Sequence, residues 1–160
     1  RRGVVAFGAV TPPASLPTTG TARYIGYARG WYSPDGRGEA YPIAADVEIV
    51  VDFAARSAVF RVLRLRVDEA QDPTPQLAVE STNTLPFSSP ANFLVGPVTH
   101  GNASGNAGAR FFGPVVDGAP AEMGGTFSVR GTSTSNSPIV DAIFGAGGFI
   151  AKRAPAAATP

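Results

Sequence analysis

The chain holds a single histidine, His100, and no cysteine, so few side chains could move a proton, attack a carbonyl or bind a metal near neutral pH. A Ser-His-Asp triad would have to use His100, and no serine stands in a G-x-S-x-G elbow. His100 is followed by Gly101-Asn102-Ala103-Ser104, a setting that reads as a solvated loop. It is the residue that would ligate a haem iron. A metal site lacking Cys would need clustered carboxylates, and the acids here are scattered. Asp68 and Glu69 are adjacent and point apart in an extended chain, so they cannot flank a glycosidic bond. Tyr24, Tyr27, Tyr32 and Tyr41 are alternative haem ligands, with nothing in the sequence to single one out. Gly145-Ala146-Gly147-Gly148 lacks the Lys-Ser/Thr of a phosphate loop. Glu122, just before Gly124-Gly125, reads as an acceptor for turn amides. This repertoire predicts a protein that is not an enzyme, with no catalytic residue, no metal and no cofactor; haem remains only as a ligand to be bound.

Binding needs contact area, and two groups of residues offer it. Trp31-Tyr32-Ser33-Pro34-Asp35-Gly36 is rich in turn formers. Exposed there, Trp31 and Tyr32, with Tyr41 nearby, would give large contact area at low entropic cost; folded back, Trp31 and Tyr32 would plug one end of a barrel. The second group is the basic stripe Arg61, Arg64 and Arg66. It is either a docking patch for an acidic partner or half of a set of cross-strand pairs with Asp46, Glu48 and Asp52. Simple alternation would bury Arg61 among Val59, Leu63, Leu65 and Val67. A bulge near Val62 and Leu63 would instead turn Phe60, Val62, Leu63, Leu65 and Val67 inward and all three arginines outward, and a kink costs less than a buried unpaired Arg.

Strands must position these residues. With 19 Gly and 15 Pro in 160 residues, the composition suits many short strands joined by turns, in one domain with a real core. Val47, Ile49, Val51 and Phe53 share one face of a half-buried antiparallel strand. Ala22, Tyr24, Gly26 and Ala28 form a mostly small face opposite Arg23, Ile25, Tyr27 and Arg29. Val4 to Val10 reads as a first strand, Leu77 to Ser81 as a middle one followed by a polar loop with Pro86 and Pro90. Phe93 to Thr99 is a strand interrupted at Gly96-Pro97, and Ile139 to Phe144 with Gly148 to Lys152 is the last strand or strand pair. Around Asp117 to Ala121 a loop joins two aromatic-bearing strands, the first kinked or ended at Gly113-Pro114. The fold class expected is all-β: a single antiparallel barrel of about eight strands. It would occupy residues 1–153, with 154–160 an Ala/Pro-rich tail or linker. A net charge of +1 gives no field that favours nucleic acid, and no window approaches the roughly 18 apolar residues of a membrane helix.

One order of motifs is specific. Arg110-Phe111-Phe112-Gly113-Pro114 is followed by Glu122-Met123-Gly124-Gly125-Thr126-Phe127. Leu16-Pro17-Thr18-Thr19-Gly20-Thr21-Ala22-Arg23-Tyr24 with Gly26, then Val51-Asp52-Phe53, precede it, and Phe144-Gly145-Ala146 and Lys152-Arg153 close the chain. The arrangement resembles the β-barrel domain of transferrin-binding protein B, a Gram-negative surface lipoprotein family that also includes factor H binding protein and haem or haemoglobin receptors. The resemblance implies the barrel, a location at the outer membrane surface or outside the cell, and capture of a host protein or haem-type ligand through loops and rims. Attachment to the membrane would run only through a lipid-bearing cysteine upstream of Arg1. These are motifs of the barrel, and the family's contact residues vary, so none is carried over. A scaffolding module of a larger surface assembly, docked through its arginines to a neighbouring protein, is the alternative. Carriage of a small ligand inside the barrel is a third reading, opposed by the bulky set Val47, Ile49, Val51, Phe53, Leu63 and Leu65.

Overall fold

Period-two alternation sets the first strands. In β1 (Thr21–Ser33), Ala22, Tyr24, Ala28 and Tyr32 are buried while Arg23, Ile25, Tyr27 and Arg29 face out. In β2 (Tyr41–Asp52), Ile43, Ala45, Val47, Ile49 and Val51 are buried, and Phe53 continues that face. The computed structural model describes residues 4–33, 40–67, 81–88, 91–100, 103–132 and 142–155. Beyond β2 come β3 (Ser57–Val67), β4 (Ser81–Pro86), β5 (Phe93–His100), β6 (Ala103–Val116), β7 (Ala119–Thr132) and β8 (Ala142–Arg153). All pair antiparallel in the order β4-β3-β2-β1-β8-β7-β6-β5, so the first and last strands of the chain lie side by side. This is the all-β, eight-stranded barrel that the alternation implied.

The sheet ends are β4 and β5, and they meet at a seam. Among the described residues no backbone ladder joins them; the amide of Asn83 does so instead, accepting from the Thr99 N–H at 2.7 Å and donating to the Thr99 carbonyl at 3.1 Å. A primary amide carries one donor and one acceptor side, so it can stand in for a missing peptide unit. Pro97 is tolerated within β5 because that strand is a sheet edge, and Gly96-Pro97 does not interrupt it.

Aromatic rings fill the end of the barrel away from the Trp31 rim. Phe53, Phe87 and Phe111 form a mutual cluster with centroids 5.6 to 6.4 Å apart, and Phe60 meets Phe149 at 4.8 Å. Tyr24 is fully buried and donates to the Pro120 carbonyl at 2.9 Å.

Several local expectations change. Val4 to Val10 is no strand: it runs as an extended arm across the outside of β6 to β8, with one bridge from Val10 to Phe112. Leu77 to Glu80 lies outside the described residues, and Ser81–Pro86, expected as a polar loop apart from its first residue, is a strand. The connection after β6 is only Asp117-Gly118, both at positive φ (44° and 76°), as a two-residue hairpin turn requires. The kink at Gly113-Pro114 is there, with Gly113 at φ 78° and the register shifting between Phe112 and Val115, but pairing resumes to Val116. β8 is one continuous strand. Of the 154–160 tail, Ala154 still bonds to the Arg23 carbonyl at 2.8 Å, and 156–160 lies outside the described residues.

Candidate functional site

Up-and-down topology brings the ends of odd strands and the starts of even strands to one rim. Trp31 and Tyr32 close β1, Tyr41 opens β2, Arg64 and Arg66 lie near the end of β3, and His100 ends β5. Residues scattered over half the sequence therefore share one end of the barrel. His100, expected in a loop, is the last residue of β5, opposite Ala103.

The aromatic trio does not act as one surface. Trp31 and Tyr32 belong to a strand instead of a loop, and Pro34 to Gly38 lies outside the described residues. Tyr32, paired in register with Tyr41, is fully buried and packs in a small cluster with Ile43, Tyr41, Leu65 and Phe127. It plugs the barrel end and offers no contact area, which corrects its place among the contact candidates. Trp31 and Tyr41 are half-buried, so they keep part of their rings at the rim. Near Tyr32 an apolar void of about 50 Å³ is lined by Ala28, Ala45, Phe60, Val98, Ala107 and Phe127. An apolar cavity that takes benzene is about 150 Å³, so the interior is close to filled.

The arginines face outward, as the bulge reading required, and they are partnered. The bulge sits slightly later than expected: Arg64, at φ 48°, and Leu65 together oppose Ala45. Leu63 pairs with Asp46 and so lies on the outer face, not in the core, while Phe60, Val62 and Leu65 pack inward. Arg64 Nε lies 2.5 Å from Asp46 Oδ2 and Arg66 Nη2 3.8 Å from Asp46 Oδ1. Glu48 takes Arg23 at 2.8 Å and Arg61 at 3.8 Å. Cross-strand pairing thus uses the basic stripe on its own sheet. Asp52 instead accepts the Ala55 N–H at 2.8 Å in the turn before β3.

Glu122 does not bind turn amides; on the outer wall of β7 it faces Lys152 at 3.8 Å. Among the described residues no three His, Cys, Asp or Glu side chains gather to hold a metal. The tyrosines do not converge as haem ligands: Tyr24 is bonded to Pro120, Tyr32 is buried and Tyr27 stands on the outer wall.

Sequence reasoning passed over the lateral wall. Ile25 and Tyr27 are 47% and 56% exposed on β1, beside Ile150 on β8, and Val5 and Phe7 on the arm are 78% and 89% exposed. The signal was present, since Ile25 and Tyr27 share a face with Arg23 and Arg29, opposite the small inward face.

No protein-family model matches the chain, and no curated protein is similar to it in sequence. Solved structures are. A crystal structure of the vaccine antigen transferrin binding protein B from Haemophilus parasuis Hp5, carrying one Trp-to-Ala substitution, is similar with a TM-score of 0.55 at 17% identity, over 90% of this chain and 28% of that one. A double variant of the same antigen, with Tyr and Trp both changed to Ala, gives 0.55 at 16% identity over 90% and 27%. At this identity the likeness establishes the barrel fold, and the chain spans little more than a quarter of the proteins it matches.

Proposed function

We propose that the chain is a non-enzymatic binding module, displayed at the outer membrane surface of a Gram-negative bacterium or secreted from it, which engages a host protein through the rim carrying Trp31 and Tyr41 in the course of iron capture. The observation that carries this reading is the likeness of the whole barrel to transferrin binding protein B. A nearly filled interior supports it, because recognition then falls to the rim and the outer walls. Haem as the ligand has no such support. Biolayer interferometry of the immobilised chain against iron-loaded and iron-free host transferrin tests the proposal. Saturable binding of either form is expected, weakened about fivefold or more by Trp31→Ala, the half-buried rim aromatic. A flat response to both forms by a folded chain overturns the transferrin reading.

A further inference from the structure

The outer surface of the barrel has two unlike sides. Over β2 and β3 it is charged and internally paired through Asp46, Glu48, Arg61, Arg64 and Arg66. Over β8, β1 and the arm it is apolar. Val4, Ala6 and Gly8 face the barrel: a Cβ at Gly148 would stand 2.3 Å from Val4 Cγ1, one at Gly124 3.3 Å from Ala6 Cβ, and one at Gly8 3.1 Å from the Phe112 ring. Val5 and Phe7 therefore project away from it, at 78% and 89% exposure. The projection is held in place just downstream, where Ala9 accepts from the Gly113 N–H at 2.7 Å and Thr11 donates to the Phe111 carbonyl at 3.1 Å. Phe7 is a fixed apolar knob.

Beside the knob lies a hole. The arm's own Phe7 forms one wall of a groove of about 350 Å³, and Tyr27, Ile150 and Phe112, with Arg29 and Glu122, line the rest. Knob and hole on the same face are what a two-fold interface needs, because each copy then supplies the ring that fills the other's groove. Charge fits the same arrangement. Arg29 makes no ion pair among the described residues and Glu122 has only Lys152 at 3.8 Å; both line the groove, so a two-fold arrangement can bring Arg29 of one copy to Glu122 of the other. Area fits as well: with aromatic side chains worth roughly 150–250 Å² each, the exposed parts of Val5, Phe7, Ile25, Tyr27 and Ile150 come to about 500 Å², near the apolar share of the ~800 Å² that each partner contributes to a standard interface.

We propose that this wall is the interface of a homodimer, formed by insertion of Phe7 of each copy into the Tyr27–Ile150 groove of the other. The inference is independent of what the rim binds, and dimerisation and transferrin binding are read in separate experiments.

Sedimentation equilibrium of the 160-residue chain across micromolar to submillimolar concentrations tests it. A reversible monomer–dimer equilibrium is expected, with Phe7→Ser weakening it by about tenfold or more, as loss of a central aromatic anchor does. Phe7 is too exposed for that change to unfold the barrel, which circular dichroism verifies. Arg29→Glu and Glu122→Arg should each weaken the dimer, and the double variant should recover much of the loss. A chain that stays monomeric throughout, or a dimer indifferent to Phe7→Ser and to both charge changes, overturns the proposal. So does a monomer that co-sediments with phosphatidylglycerol vesicles through Phe7, which would assign the wall to lipid.

Discussion

The hydroxyl of Tyr24 donates to the carbonyl of Pro120 at 2.9 Å inside the barrel, tying the start of β1 to the start of β7 across strands that are not neighbours. Tyr24→Phe removes the donor and leaves a buried carbonyl without it, a change that costs about 1–3 kcal/mol. Urea unfolding of the two proteins measures it, and equal stability would mean that the carbonyl finds another partner.

The same residue sets a dependence on alkaline pH. Burial raises the Tyr24 hydroxyl well above the usual tyrosine value, an effect Arg153 partly offsets. The folded state therefore holds this proton more tightly than the unfolded state. Its contribution is complete below the unfolded value of about 10 and is lost as pH rises from there towards the folded one. Wild type should lose stability above about pH 10 more steeply than Tyr24→Phe, and parallel curves would remove Tyr24 as the cause.

At the seam, Asn83→Ala deletes the side chain that bridges β4 to β5 and leaves the Thr99 N–H and carbonyl to water. Loss of its three exposed hydrogen bonds to Thr99 should cost about 1–2 kcal/mol. The clearer readout is hydrogen exchange: the Thr99 amide should exchange much faster, while amides in β1 and β2 keep their protection. Uniform acceleration would show that the seam opens only with the whole barrel.

Ion pairs on the β2–β3 wall should matter little. Arg61, Arg64 and Arg66 have side chains 48%, 74% and 60% exposed, and pairs of that kind contribute about 0–1 kcal/mol each. Alanine at each position should shift the melting temperature by only a few degrees and leave binding at the rim unchanged. A large loss of partner binding on Arg64→Ala would support the docking-patch reading.

The arm depends on the absence of a side chain beneath it. Gly148→Ala places a Cβ 2.3 Å from Val4 Cγ1 and 3.0 Å from the Gly125 carbonyl oxygen, so Val4 must move well away while β7 gives by a few tenths of an ångström. Faster chymotryptic cleavage after Phe7, with an unchanged far-ultraviolet spectrum, is the expected outcome. Cleavage at the wild-type rate would show that the arm is already detached in solution.

Much of the architecture was written in short-range pattern. Val47 to Phe53 alternates so strictly that a one-residue slip would turn its apolar set to water, and the same holds for Ala22 to Ala28. That logic also placed the arginines outside and opposite Asp46 and Glu48, because a buried unpaired guanidinium is too costly. It could not place the bulge to the residue, since Leu63 and Leu65 are equally apolar and only pairing with β2 separates them. Closure decided the rest. Eight strands curled until β4 met β5, and only that meeting gave Asn83 a partner. Topology carried Trp31, Tyr41 and His100 to one rim and pressed Tyr32 into its floor. The arm shows the limit most clearly: Val4 to Val10 is an apolar run that reads as a strand, yet β1 pairs with β8 and β2 and leaves it no edge. It was left to lie over the glycines of the outer wall, turning Val5 and Phe7 to the solvent. Local alternation states which face of a segment is apolar, and only the closed barrel states what that face meets.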